Sequence, residues 1–220
     1  MDRKIYAFSG LGADESVFTE LEFPGYEVIF VRWIQPLQQE TMVAYASRLL
    51  AQITSSQPIL IGLSFGGMMA IEVAKQIDTT HVILLASAKT KSEIPFYFRW
   101  VGKLGLHRLL PAGLLKRPGF FPNWLFGVQS EAEKEILNEI LRKTDPAFVR
   151  WAIHQIVCWK NEAIPDQLTH IHGDIDRLLP HRFVNCDHTI SKGGHFMTLN
   201  RASEINELLM YTLRNPSFQL

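Results

Sequence analysis

The stretch Leu60-Ile61-Gly62-Leu63-Ser64-Phe65-Gly66-Gly67 constrains the fold more than any other part of the chain. An apolar run, Pro58-Ile59-Leu60-Ile61, leads into it, and Met68-Met69-Ala70-Ile71-Glu72-Val73-Ala74 follows with a small-residue helical pattern. Strand, sharp turn and helix in that order are the setting that a G-x-S-x-G nucleophile elbow requires. The glycines answer a crowding problem. A serine held at φ > 0 between strand and helix brings the flanking backbone into near contact, so Gly62 and Gly66 can carry no side chain. The turn lifts the Ser64 hydroxyl above the sheet edge and aims the free N–H groups of the helix N-terminus at the same point. A glycine-rich strand–helix turn can also contain a serine by chance, so the rest of the chain has to decide.

The flanking sequence repeats the strand–helix alternation. Ile5-Tyr6-Ala7-Phe8 is short and wholly apolar, as a strand buried on both faces should be, and ends in the turn Ser9-Gly10-Leu11-Gly12-Ala13-Asp14. Asp14 is placed to cap a short helix carrying Val17, Phe18 and Leu21. Tyr26–Val31 reads as a second strand, and Tyr45, Leu49, Leu50 and Ile53 keep helical spacing. After the elbow, Val82–Ala86 is a fourth strand. Such alternation implies a parallel sheet covered by helices on both faces.

From Ser87 to Glu162 the alternation stops. Ser130-Glu131-Ala132-Glu133 is a capping box opening a helix with Ile136, Leu137, Ile140 and Leu141 inward. Asp145-Pro146 caps another, with Phe148, Trp151, Ala152, Gln155, Ile156 and Trp159 at three- and four-residue steps. Pro111, Pro118 and Pro122 break an aromatic, basic stretch into short pieces. This segment reads as a helical cap inserted between two strands. Alternation resumes with Gln167–His172, which ends in Gly173-Asp174-Ile175-Asp176. A last strand, Asp187–Ile190, ends in Ser191-Lys192-Gly193-Gly194-His195, and a closing amphipathic helix carries Ile205, Leu208, Leu209 and Leu213. The expected organisation is a core of residues 1–88 and 163–220 with a cap at 89–162.

Bulk properties exclude several classes. With 22 basic and 22 acidic residues among 220, the chain has no electrostatic footprint for nucleic acid. No apolar run approaches the ~18 residues of a membrane span, and Met1-Asp2-Arg3-Lys4 leads into the first strand without a leader-like apolar region, which fits a cytoplasmic protein. Cys158 and Cys186 are too few for a disulfide framework and read as buried free thiols. His170 and His172 alternate on one strand as a metal pair would, but no further ligand stands at suitable spacing, and no metal or cofactor is expected. The remaining histidines (His81, His107, His154, His181 and His188) read as surface or satisfied core residues. Between Lys89 and Arg117, the cations Lys89, Lys91, Arg99, Lys103, Arg108, Lys116 and Arg117 face Glu93 alone. That run reads as solvated helix surface, or alternatively as attraction for an anionic acyl group or a membrane surface.

Acyl transfer by serine needs an exposed hydroxyl, a neutral imidazole, a carboxylate that fixes its tautomer, and N–H donors for the oxyanion. In an open parallel sheet such groups collect on loops at the carboxyl ends of strands. Ser64 follows the third expected strand, Asp174 and Asp176 the fifth, His195 the sixth, and Ser9-Gly10-Leu11-Gly12 the first.

The order Ser, Asp, His, with Gly62-Leu63-Ser64-Phe65-Gly66, His172-Gly173-Asp174-Ile175-Asp176 and Gly193-Gly194-His195-Phe196, resembles the α/β-hydrolase superfamily over nearly the whole length. The resemblance implies an α/β-hydrolase fold. Relative to the family's usual eight strands the first two are missing, leaving a mostly parallel six-stranded sheet with an inserted helical cap. It also implies Ser64 as nucleophile and His195 as general base and acid. The family spacing from Gly173 and to Pro180 favours Asp176 as the orienting acid over Asp174, whose expected work is turn hydrogen bonding. The N–H groups of Leu11 and Phe65 become the oxyanion donors, although Ser9 stands where the family often has histidine. The expected activity is that of a carboxylesterase-like serine hydrolase, cleaving a small-molecule ester of a small to medium, apolar acyl group. A thioesterase, acyltransferase or C–C hydrolase would use the same triad, and a non-catalytic ligand-binding protein is the competing class.

Overall fold

Apolar five-residue runs become strands here because both faces of the sheet are covered, leaving no position for polar alternation. In the computed structural model, which describes residues 3–106 and 118–214, β1 is Lys4–Phe8, β2 Glu27–Val31, β3 Ile59–Leu63, β4 His81–Leu85, β5 Leu168–Gly173 and β6 His188–Ile190. They form one six-stranded sheet in the order β2-β1-β3-β4-β5-β6, with every neighbouring pair parallel. This is the expected sheet. β3 and β4 are buried along their whole length, whereas the edge strand β2 starts at the exposed Glu27.

Alternate side chains feed two cores. Tyr6, Phe8, Leu60, Val82 and Leu84 pack under α1 (Met42–Leu49) and α2 (Phe65–Ala74). Ile5, Ala7, Ile61, Ile83, Leu85 and Ile171 face the other way, meeting Met197 and, on the closing helix, Ile205, Leu209 and Leu213. Between β4 and β5 run α3 (Phe96–Lys103), α4 (Phe120–Phe126), α5 (Glu131–Lys143) and α6 (Pro146–Val157). After β6 come α7 (Met197–Asn200) and α8 (Ala202–Arg214).

The helix starts follow the capping chemistry. Thr41 Oγ1 accepts from Ala44 N–H at the start of α1, Ser130 Oγ from Glu133 N–H at α5, and an Asp145 carboxylate oxygen from Ala147 N–H at α6. The Glu133 side chain returns to the Ser130 hydroxyl and the Gln129 N–H. Helix α6 is also the anchor of the segment between β4 and β5. Trp151 Nε1 donates to the Glu40 carbonyl at 2.8 Å, Gln155 accepts from Met42 N–H at 2.9 Å, and Phe148 and Ala152 enter the α1/α2 core. Beyond it, Trp159 Nε1 donates to the buried carboxylate of Glu72 on α2 at 2.8 Å, with Lys75 on the other oxygen.

Two readings change. Lys89 is only 8% exposed rather than solvated, with Glu93 buried beside it and accepting the Lys89 backbone N–H. Burial raises the Glu93 carboxyl above its ordinary value, against the pull of the Lys89 and Asn185 backbone N–H groups and the Lys89 charge. Cys158 and Cys186 are free but half-buried, each beside a histidine: His154 Nδ1 at 3.7 Å and His181 Nε2 at 3.6 Å. His107, Arg108, Pro111, Lys116 and Arg117 lie outside the described residues, as do Met1 and Asp2. Among the described residues, no helix is long and apolar enough to cross a membrane.

Candidate active site

Parallel strands in register deliver their following loops to one edge of the sheet. Phe8 pairs with Gly62, Leu63 with Leu85, Leu85 with Ile171 and Gly173 with Ile190, so the loops after β1, β3, β5 and β6 converge.

Ser64 sits at φ 55°, ψ −121°, a conformation that costs a side-chain-bearing residue about 1–3 kcal/mol. The surroundings hold it there. Ser64 N–H donates to the Leu85 carbonyl at 2.9 Å, and the Ser64 carbonyl accepts from Gly67 N–H at 3.0 Å and from the Ser87 hydroxyl at 2.6 Å. The close approach demanded of the two glycines is present: a methyl on Gly62 would lie 2.5 Å from the Gly66 carbonyl, and one on Gly66 would run into the carbonyls of Phe8 and Ser9.

The structure brings Ser64, His195 and Asp176 together from loops after β3, β6 and β5. His195 Nε2 lies 2.8 Å from Ser64 Oγ, and His195 Nδ1 lies 2.7 Å from Asp176 Oδ2. His195 and Asp176 are buried, while Ser64 stays partly open to solvent. The other Asp176 oxygen accepts the backbone N–H groups of Leu178 (2.8 Å) and Leu179 (2.9 Å). Burial works against ionisation of this carboxyl. The His195 charge and its hydrogen bond, with His172 and Leu179 N–H, outweigh it and hold the group below the ordinary carboxylate value. Phe126 meets the His195 ring edge-on at 5.5 Å, and Phe196 N–H donates to the Phe126 carbonyl, so the end of α4 braces the histidine loop.

Asp174 is exposed. Its N–H donates to the Ile190 carbonyl, and its carboxylate makes no bond to His195. Leu11 lies in a turn closed by Ala13 N–H on the Gly10 carbonyl at 3.0 Å, with Gly12 at φ 69°. This turn lies against the elbow, since a methyl on Gly10 would stand 3.9 Å from Ser64 Cβ. Phe65 N–H opens α2 immediately after Ser64. Among the described residues, neither the Leu11 nor the Phe65 N–H is taken by another group.

His170 and His172 sit edge-to-face at 5.5 Å in the core. Burial, with His172 and Lys89 nearby, pushes His170 down to about 3, and burial lowers His172 as well. Among the described residues, no three His, Cys, Asp or Glu side chains are disposed to hold a metal ion. His172 nevertheless belongs beside the site: its Nε2 lies 2.8 Å from the Leu179 carbonyl and 3.7 Å from Asp176 Oδ2. The sequence marks it as half of a His-x-His pair and as the start of the motif that runs to Asp176, with no role at Asp176. A second neighbour, Trp33, follows the edge strand β2. It packs on Phe65 at 5.4 Å and Phe148 at 5.6 Å, and only the β1–β2 pairing brings it there.

Comparison with known proteins agrees with the architecture. The fold is similar to that of an esterase from Thermogutta terrifontis at 15% identity and TM-score 0.64, covering 96% of this chain and 89% of that one. A hydrolase from Oleispira antarctica matches at 11% identity and TM-score 0.70, covering 98% and 92%. The N-acyl homoserine lactonase AidH matches at 15% identity and TM-score 0.68, covering 100% and 91%. At these identities the likeness is one of fold alone. No curated protein matches in sequence. The sequence profile of the Alpha/beta hydrolase family matches residues 5–208. The chain belongs to the alpha/beta hydrolase family.

Proposed function

We propose that this protein is a serine hydrolase that cleaves carboxylic esters of small to medium, largely apolar acyl groups. The observation that carries this reading is the continuous chain from Ser64 Oγ through His195 to Asp176, at 2.8 Å and 2.7 Å. In the first half-reaction His195 Nε2 takes the Ser64 proton as Oγ attacks the ester carbonyl. The carbonyl oxygen becomes an oxyanion facing the N–H groups of Leu11 and Phe65. The tetrahedral adduct collapses, the alkoxide leaves with the proton from His195, and the acyl group remains on Ser64. Water, deprotonated by His195, then releases the acid and restores the serine. Asp176 keeps Nδ1–H in place and balances the transient imidazolium. No cofactor enters these steps.

The helices at 89–162 act in this reading as a cap over a core of 1–88 and 163–220. Phe148 and Trp151 of α6, at 6.2 Å and 6.0 Å from Phe65, support an apolar acyl site. A thioesterase, acyltransferase or C–C hydrolase would use the same groups. Because AidH is a lactonase, cyclic esters belong beside open ones as candidate substrates. The test is a panel of p-nitrophenyl esters, thioesters, lactones and amides of graded chain length, assayed with wild type and Ser64→Ala. Ester turnover lost in the variant supports the reading. Wild-type turnover by Ser64→Ala would sink it, and thioester preference would move the assignment to the alternative.

A further inference from the structure

The turn carrying Leu11 has few internal restraints of its own. Its backbone closure is the single Ala13 N–H bond to Gly10, and Gly12 sits at positive φ. Three side chains supply the rest, one of them Thr144, whose Oγ1 donates to the Gly12 carbonyl at 3.1 Å. Ser9, 5% exposed, donates its hydroxyl to the Ala13 carbonyl at 2.6 Å. The Trp33 indole Nε1–H lies 3.0 Å from Ser9 Oγ and 3.2 Å from the Gly10 carbonyl, sharing one proton between the two acceptors that fix each end of the turn. The same indole packs at 5.4 Å on Phe65, the residue whose N–H opens α2 next to Ser64, and at 5.6 Å on Phe148 of α6.

We propose that Trp33 and Ser9 are positioning residues that hold the Leu11 N–H at the oxyanion site, with the Trp33 ring setting the Phe65 side of the same site. The inference rests on the hydrolase reading above. The physical reason is that an oxyanion donor works only when it is already aimed where charge develops, and a turn free to relax loses that aim without losing its fold. An indole N–H that merely satisfied its own burial would leave substrate turnover alone when deleted. One that positions the donor changes the transition state and spares substrate binding.

The test compares wild type, Trp33→Phe, Ser9→Ala and the double variant. Trp33→Phe keeps an aromatic ring and deletes the donor. The readouts are kcat and KM for p-nitrophenyl acetate, and inhibition by a phenylboronic acid, which forms a tetrahedral anionic adduct on serine. Each single variant should lose about 5- to 50-fold in kcat with KM within about 3-fold, less than deletion of a donor itself and more than loss of an unrelated hydrogen bond. Boronate affinity should fall by the same factor as kcat/KM. The double variant should be little worse than the worse single one, because both act through one turn. Unchanged kcat, or a kcat loss with unchanged boronate affinity, overturns the proposal. If near-UV circular dichroism shows Trp33→Phe misfolded, Ser9→Ala decides alone by the same criteria. A wild type that neither hydrolyses esters nor binds boronate overturns the parent reading too, whereas an active wild type with unaffected variants overturns only this one.

Discussion

Asp176→Asn is the substitution whose outcome the geometry fixes most tightly. An asparagine could in principle present either oxygen or NH2 to His195. Here one side is already decided, because Asp176 Oδ1 accepts two backbone N–H groups, from Leu178 at 2.8 Å and Leu179 at 2.9 Å. An NH2 group in that place would set donor against donor, so the asparagine oxygen must occupy it. The NH2 then faces His195 Nδ1 at the 2.7 Å position. A donor there forces Nδ1 to accept, which moves the imidazole proton to Nε2, toward Ser64. Nε2 can no longer take the serine proton. The expected loss is about 10^4-fold in kcat, roughly 5 kcal/mol of transition-state stabilisation. Steady-state hydrolysis of p-nitrophenyl acetate measures it, with circular dichroism confirming the fold, since both backbone bonds survive. Asp174→Asn serves as the control and should stay within about 2-fold, its carboxylate being solvent-exposed and not bonded to His195. An Asp176→Asn variant within about ten-fold of wild type would refute the tautomer argument.

Further outcomes follow from packing and titration. Gly66→Ala should cost about 1–3 kcal/mol in urea unfolding, together with most of the esterase activity, because its methyl meets the rigid carbonyls of Phe8 and Ser9. An unchanged midpoint would contradict the crowding account of the elbow. Burial lowers His170 to about 3 and His81 to about 4 from an ordinary 6.5. Their folded values lie below the unfolded ones, so protons favour the unfolded chain in that interval. Stability is whole above about pH 6.5 and falls toward acid by about 1.4 kcal/mol per pH unit for each histidine. His170→Leu should therefore flatten the pH dependence of unfolding free energy between about pH 6 and 4.5 by about one such slope. An unaltered slope would show that His170 is not the proton acceptor.

What was legible in the sequence divides along physical lines. β1, β3 and β4 announce themselves because burial on both faces leaves uninterrupted apolar runs, and α5 and α6 because Ser130 and Asp145 cap them locally. Ser64, His195 and the pair Asp174 and Asp176 could be nominated because each follows a strand and parallel strands share an edge, while the choice of Asp176 within the pair came from the resemblance to the α/β-hydrolase superfamily. Trp33 could not. Its link to Ser9 spans residues brought together by the pairing of β1 with the edge strand β2, and nothing local in Val31-Arg32-Trp33 encodes that neighbour. The burial of Lys89 was hidden for a similar reason. Its nearest charged neighbour in sequence is the cation Lys91, and the Asn161 amide that donates to the Lys89 carbonyl at 2.9 Å arrives from beyond α6. Cys158 and Cys186 likewise lie beside histidines four and five positions earlier, contacts that form only in the folded chain.

Every step proposed for this protein depends on Ser64 being a nucleophile activated by His195. Labelling with a fluorophosphonate, followed by mass-spectrometric location of the adduct, tests it without knowledge of the natural substrate. A single adduct is expected on the peptide containing Ser64, absent in Ser64→Ala and strongly slowed in His195→Ala. Folded wild-type protein that takes no label, or that carries it on another residue, would contradict the claim.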